Sequence, residues 1–88
     1  MQLKEGFILK KIVDDYIVVP TGDNLVDFGV VVSLNETGAY LWEQLYTEKT
    51  KEELVKSLAS EYEITEADVE SDVEEFIELL KTHKFLVD

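Results

Sequence analysis

Twenty acidic side chains and one histidine are the groups in this 88-residue chain from which acid–base or metal chemistry could be built. Adjacent carboxylates are abundant, as in Asp14-Asp15 and Glu74-Glu75. A catalytic acid–base pair needs surroundings that push its two pKa values apart, usually by burial. Both dipeptides fall in segments expected to face water, so neither is expected to catalyse. His83 stands alone near the end of a predicted helix, where a cation is favoured by the helix C-terminus. It leaves no cluster for a catalytic zinc. With no cysteine in the chain, a disulfide framework and thiolate chemistry are excluded. The chain has no Gly-rich phosphate loop, no Gly-x-Ser-x-Gly and no His-Glu-x-x-His. The expectation is a protein that is not an enzyme and holds no cofactor or metal.

The formal net charge is −12. Residues 1–46 carry three lysines against seven acids, and residues 47–88 carry five lysines against thirteen. Arginine, the bidentate reader of phosphate and guanine, is absent. A nucleic-acid binder needs a basic stripe that displaces counterions, and this chain offers the opposite. Small acidic acyl carriers place a serine in Asp-Ser-Leu at a helix start. Here Ser33, Ser57, Ser60 and Ser71 have other neighbours. No apolar run approaches the roughly 20 residues of a membrane span, so a cytoplasmic protein is expected.

The stretch that positions everything else runs from Gly29 to Leu45. Its β-branched run, Val30 to Leu34, favours a strand. Asn35 can cap the first turn of a following helix, whose buried stripe is Ala39, Leu41, Trp42, Leu45 and Tyr46. Before this junction lie two strands, Phe7 to Val13 and Tyr16 to Pro20, turning at Asp14-Asp15. Met1 to Gly6 reads as a frayed or edge segment. Leu25 to Phe28 reads as a short extended piece, with a bend at Gly29. After the junction, the first helix is expected over Glu36 to Tyr46. Thr50-Lys-Glu-Glu53 is a capping box that opens a second helix, with Leu54, Leu58, Ala59 and Tyr62 buried. Thr65 starts a third, to about Thr82, burying Val69, Val73, Phe76, Ile77 and Leu80. The tail at Phe85-Leu-Val87 should dock back on the core. The predicted fold is a single α+β domain over residues 1–88. Its architecture is winged helix-turn-helix-like, a three-stranded antiparallel sheet followed by three helices.

The segment Leu34-Asn-Glu-Thr-Gly-Ala-Tyr-Leu-Trp42 resembles the Leu-Asn-x-Thr-Gly-x-x-(aliphatic)-Trp signature of PqqD-like proteins. Thr50 to Leu54, Tyr62, Asp68 to Val73 and Phe76 to Leu80 before Phe85-Leu86 resemble its later helices, so the likeness covers about residues 7 to 87. The resemblance implies a peptide chaperone, the recognition element of systems that modify ribosomally made peptides. It implies that the leader of a precursor peptide adds as a strand beside the third strand and packs against the third helix. The implied partners are that leader and a modifying enzyme, either a radical S-adenosylmethionine protein or a lasso-type leader peptidase and cyclase.

The candidate peptide-binding residues are therefore Val30, Val31, Val32, Ser33 and Leu34 on the strand. On the helix they are Asp68, Asp72, Glu75, Phe76 and Leu79. A valine-rich strand without charged gatekeepers, which the resemblance places at the sheet edge, invites strand addition on physical grounds as well. Either flank of the third helix could line the groove. The Leu79 flank is favoured because Asp68, Asp72 and Glu75 ring an apolar anchor suited to a lysine- or arginine-bearing leader. The Ile77 flank, beside Glu70 and Glu74, is the alternative, and the competing role for Leu79 is packing on Phe85 alone. Trp42 and Leu45 are assigned to the core, Asn35 to the cap and Gly38 to a close approach. The competing functions are a winged-helix nucleic-acid binder, which seven acids on the third helix oppose, and a dimerisation domain that self-pairs along the same edge. A monomer or weak homodimer is expected.

Overall fold

A hairpin opens the chain. In the computed structural model, which describes residues 1–21 and 32–87, β1 spans Phe7–Ile12 and β2 spans Asp15–Pro20. They pair antiparallel with Ile12 opposite Asp15, so the turn is Val13-Asp14, one residue earlier than Asp14-Asp15. Cross-strand pairing explains the correction. This register sets Leu9 opposite Val18 on the core side, whereas a turn at Asp14-Asp15 would set Lys11 opposite Val18 and Leu9 opposite Pro20. The cost falls on Val13, which is 83% exposed and held at φ 56°, a region β-branched residues avoid. Val13→Gly is expected to stabilise the fold by about 1 kcal/mol, visible as a rise in melting temperature of about 4–8 °C.

β3 covers Val32–Leu34 and pairs with β2 to give the order β1-β2-β3. Val32 and Leu34 are buried and Ser33 is exposed, as the alternation of the strand demands. The extended piece expected at residues 25–28, the bend at Gly29, and Val30 and Val31 lie outside the described residues.

Three helices follow: α1 Glu36–Gln44, α2 Lys51–Tyr62 and α3 Glu66–Thr82. Each has its N-cap where the sequence places one, at Asn35, Thr50 and Thr65. At Thr50 both halves of the capping box form, and the Thr50 N–H holds the Glu53 carboxyl below its usual pKa. The reciprocal bond is therefore lost as pH falls through that depressed value. α1 stops two residues short of Tyr46. The Leu45 N–H is shared between the Leu41 and Trp42 carbonyls at 3.3 and 3.1 Å, which tightens and ends the helix.

The sheet's inner face and the helices' apolar stripes enclose one core. Trp42, Leu45, Leu54, Leu58, Val69, Val73 and Leu80 reach 0% exposure within it. Val55 joins this core, while Tyr62 is only half-buried. The indole N–H of Trp42 donates to the Tyr46 hydroxyl at 3.0 Å, so the most buried aromatic strands no polar group.

Met1 to Gly6 is not frayed. Leu3 is buried and bridges Leu86, flanked by bonds from Lys4 N–H to Phe85 O and from Val87 N–H to Gln2 O, both 2.8 Å. The tail arrives there through a Schellman turn. The Phe85 N–H bonds Leu80 O and the Lys84 N–H bonds Lys81 O, with Lys84 at φ 59°. Phe85 then stacks edge-on against Phe7 and Trp42, at 4.7 and 5.3 Å between centroids. No helix among the described residues is long and apolar enough to cross a membrane.

Candidate peptide-binding groove

Where β3 hands over to α1, the chain turns sharply and leaves a cleft against α3. Asn35 drives the turn, since its Oδ1 accepts from the Gly38 N–H at 2.7 Å and from the Thr37 hydroxyl at 3.0 Å. A Cβ on residue 38 would come within 3.0 Å of that oxygen and 3.4 Å of the Leu34 Cβ, so glycine is needed for close approach. On α3, residues 72, 75, 76 and 79 recur at three- and four-residue spacing and present one stripe to the cleft. The resulting cavity holds about 240 Å³. Ser33, Leu34, Asn35, Thr37, Gly38 and Leu41 line it from one side, and Asp72, Glu75, Phe76 and Leu79 from the other.

Buried Leu34, Leu41 and Phe76 give the cleft an apolar floor, and exposed Asp72 and Glu75 stand at its rim. This volume lies below the roughly 300–1,000 Å³ of small-molecule pockets and suits side chains of a polypeptide better than a whole cofactor. No cation lines it. Around the helix, Glu70 and Glu74 are drawn to Lys51 at 3.9 and 2.7 Å, and the hydrogen bond that Lys51 donates to Glu74 holds its ammonium above its usual pKa. Asp72 and Glu75 have no such partner among the described residues.

Among the described residues the strand beside the cleft is the edge of the sheet, and its register tells which backbone groups face outward. The Thr21 N–H bonds Gly6 O at 2.8 Å, which makes Phe7 and Pro20 a non-hydrogen-bonded pair. Alternation then points the Ile17 N–H and C=O toward β1, and those of Tyr16 and Val18 toward β3. Val32 and Leu34 exchange bonds with β2, whereas the Ser33 N–H and C=O point to the free edge. Strand β1, the other edge, carries Lys10 and Lys11 as charged guards, but Val32–Leu34 carries none.

Six of the ten candidate residues therefore meet in one place: Ser33, Leu34, Asp72, Glu75, Phe76 and Leu79. Val32 belongs to the core side of β3, and Asp68 is exposed on α3 without lining the cavity. Val30 and Val31 lie outside the described residues. On the alternative flank Ile77 is buried, and neither it nor Glu70 or Glu74 lines this cavity. Sequence reasoning assigned Asn35 and Gly38 to the turn alone and left out Thr37 and Leu41 as lining residues. Their place in the segment directly after the edge strand was the available signal. Among the described residues no group of three or more acidic, His or Cys side chains is placed to hold a metal ion.

Residues 15–86 match the sequence profile of PqqD, coenzyme PQQ synthesis protein D. The chain belongs to the PqqD family. The matched stretch spans β2, β3 and all three helices, hence both walls of the groove in this PqqD-family chain. Its fold is similar to that of the solved structure titled TbiB1 in complex with the TbiA(beta) leader peptide. That similarity has a TM-score of 0.74 at 22% identity and covers 100% of both chains. No curated protein matches the chain significantly. The shared architecture is three antiparallel strands followed by three helices.

Proposed function

We propose that this PqqD-family chain is a non-catalytic chaperone that binds the leader of a ribosomally made precursor peptide and presents it to a modifying enzyme. The observation that carries this reading is the Ser33 backbone pair, aimed at a free sheet edge beside an apolar cleft. An added strand satisfies that pair by β-augmentation, and every second side chain of the leader falls toward Phe76 and Leu79. Val30 and Val31 extend the edge in this reading, and Asp68, Asp72 and Glu75 place negative charge beside a lysine- or arginine-bearing leader. That TbiB1, a chain of similar fold, was solved in complex with a leader peptide supports the choice of a leader as the ligand. The proposed enzyme partner is a radical S-adenosylmethionine protein or a lasso-type leader peptidase and cyclase, met in the cytoplasm. The free chain is a monomer, or a weak homodimer whose second copy competes for the same edge.

The test is a fluorescence-anisotropy titration with the leader of a short precursor encoded beside this gene, against a scrambled peptide. The expected dissociation constant lies between nanomolar and micromolar, about −12 to −8 kcal/mol. Equal binding of the scrambled peptide, or none of either, overturns the proposal.

A further inference from the structure

The terminal segments build a second concavity, and its chemistry inverts that of the rest of the surface. It encloses about 610 Å³ between Lys4, Lys81, Lys84, Leu86 and Val87. Three of the chain's eight lysines line it and, among the described residues, no acidic side chain does, in a molecule of net charge −12. None of the three makes an ion pair among the described residues, whereas Lys51 holds two glutamates. Their backbones are fixed. Lys4 is tied to Phe85 by the bridge between the terminal segments, and Lys81 and Lys84 belong to the Schellman turn. A lysine in the last turn of a helix is explained by the helix dipole, which covers Lys81. Lys4 lies on another segment and Lys84 lies beyond the helix, so the dipole does not account for their convergence.

We propose that this concavity docks a short carboxylate-rich segment of a partner protein, at a place separate from the leader groove. Charge complementarity selects the anion. Half-buried Leu86 and Val87, 53% exposed, add an apolar wall that a peptide's aliphatic side chains cover and a bare phosphate does not. The net charge sets the length. At physiological ionic strength attraction reaches only about 8 Å, so a short segment meets three lysines while a long polyanion runs onto a repelling surface. A module that delivers a peptide needs a contact outside its peptide groove, and this surface stays free while β3 is occupied. The assignment itself does not depend on leader binding.

The experiment is an ¹⁵N–¹H correlation titration of the full chain with a synthetic peptide alternating glutamate and leucine, near physiological salt. Saturable shifts are expected at the amides of Lys4, Lys81, Lys84 and Leu86. The charge reversal Lys81→Glu with Lys84→Glu is expected to weaken binding at least tenfold, and Lys4→Gln to weaken it less, with the spectrum otherwise native. Inorganic phosphate at matched ionic strength is expected to leave those amides unmoved. No saturation into the millimolar range, shifts centred on Leu79, indifference to the reversal, or an equal response to phosphate would each overturn the proposal.

Discussion

Ser33→Pro is expected to weaken leader binding at least tenfold while the domain stays folded. The Ser33 N–H points away from β2, so its loss leaves the β2–β3 ladder intact. Proline at an edge position is tolerated for that reason, yet it removes the donor an incoming strand needs and puts a ring in its path. A missing hydrogen bond with a desolvated carbonyl opposite costs about 1–3 kcal/mol before the steric term. The affinity should fall at least tenfold, and by circular dichroism the melting temperature should stay close to that of the parent. Ser33→Ala, which keeps the backbone donor, should bind as the parent does. If Ser33→Pro binds normally, strand addition at this edge is wrong.

Leu79→Asp is expected to give the second large effect, from the other wall. Leu79 is half-buried and lines the cleft beside Phe76, with Asp72 and Glu75 on the same stripe. A third carboxylate at this point must be desolvated when an apolar leader side chain arrives, with no cation lining the cleft to offset it. Affinity should drop about a hundredfold, near 2.7 kcal/mol, as read by anisotropy titration. Leu79→Met keeps volume and polarity and should cost little. A normal Leu79→Asp would show that this side chain only packs on the tail.

Most of the frame was legible because its signals were redundant. On α3 five apolar residues, Val69, Val73, Phe76, Ile77 and Leu80, share one helical face, and all five are buried. The caps at Asn35, Thr50 and Thr65 were readable because short polar side chains meet orphan N–H groups at a fixed spacing. The hairpin turn was misplaced by one residue for a physical reason. Asp14-Asp15 has the better local turn chemistry, but pairing Leu9 with Val18 in the core outweighs it and forces valine into a strained conformation. The N-terminal segment stayed open between frayed and edge because Leu3 is held by Leu86, a pairing across the whole chain that no local pattern announces. In the groove, α3 was readable from helical spacing alone. Thr37 and Leu41 were not, because their exposure to the cleft depends on how sharply α1 leaves β3.

The bond from Trp42 to Tyr46 has a practical consequence. The chain's single tryptophan has 0% exposure, sits edge-on to Phe85 and does not line the groove. Its emission should be blue-shifted in the native state and move red only when the core opens. Intrinsic fluorescence thus serves as a clean denaturation signal that bound peptide leaves almost unchanged. A protein whose spectrum stays silent on adding leader has not thereby failed to bind it.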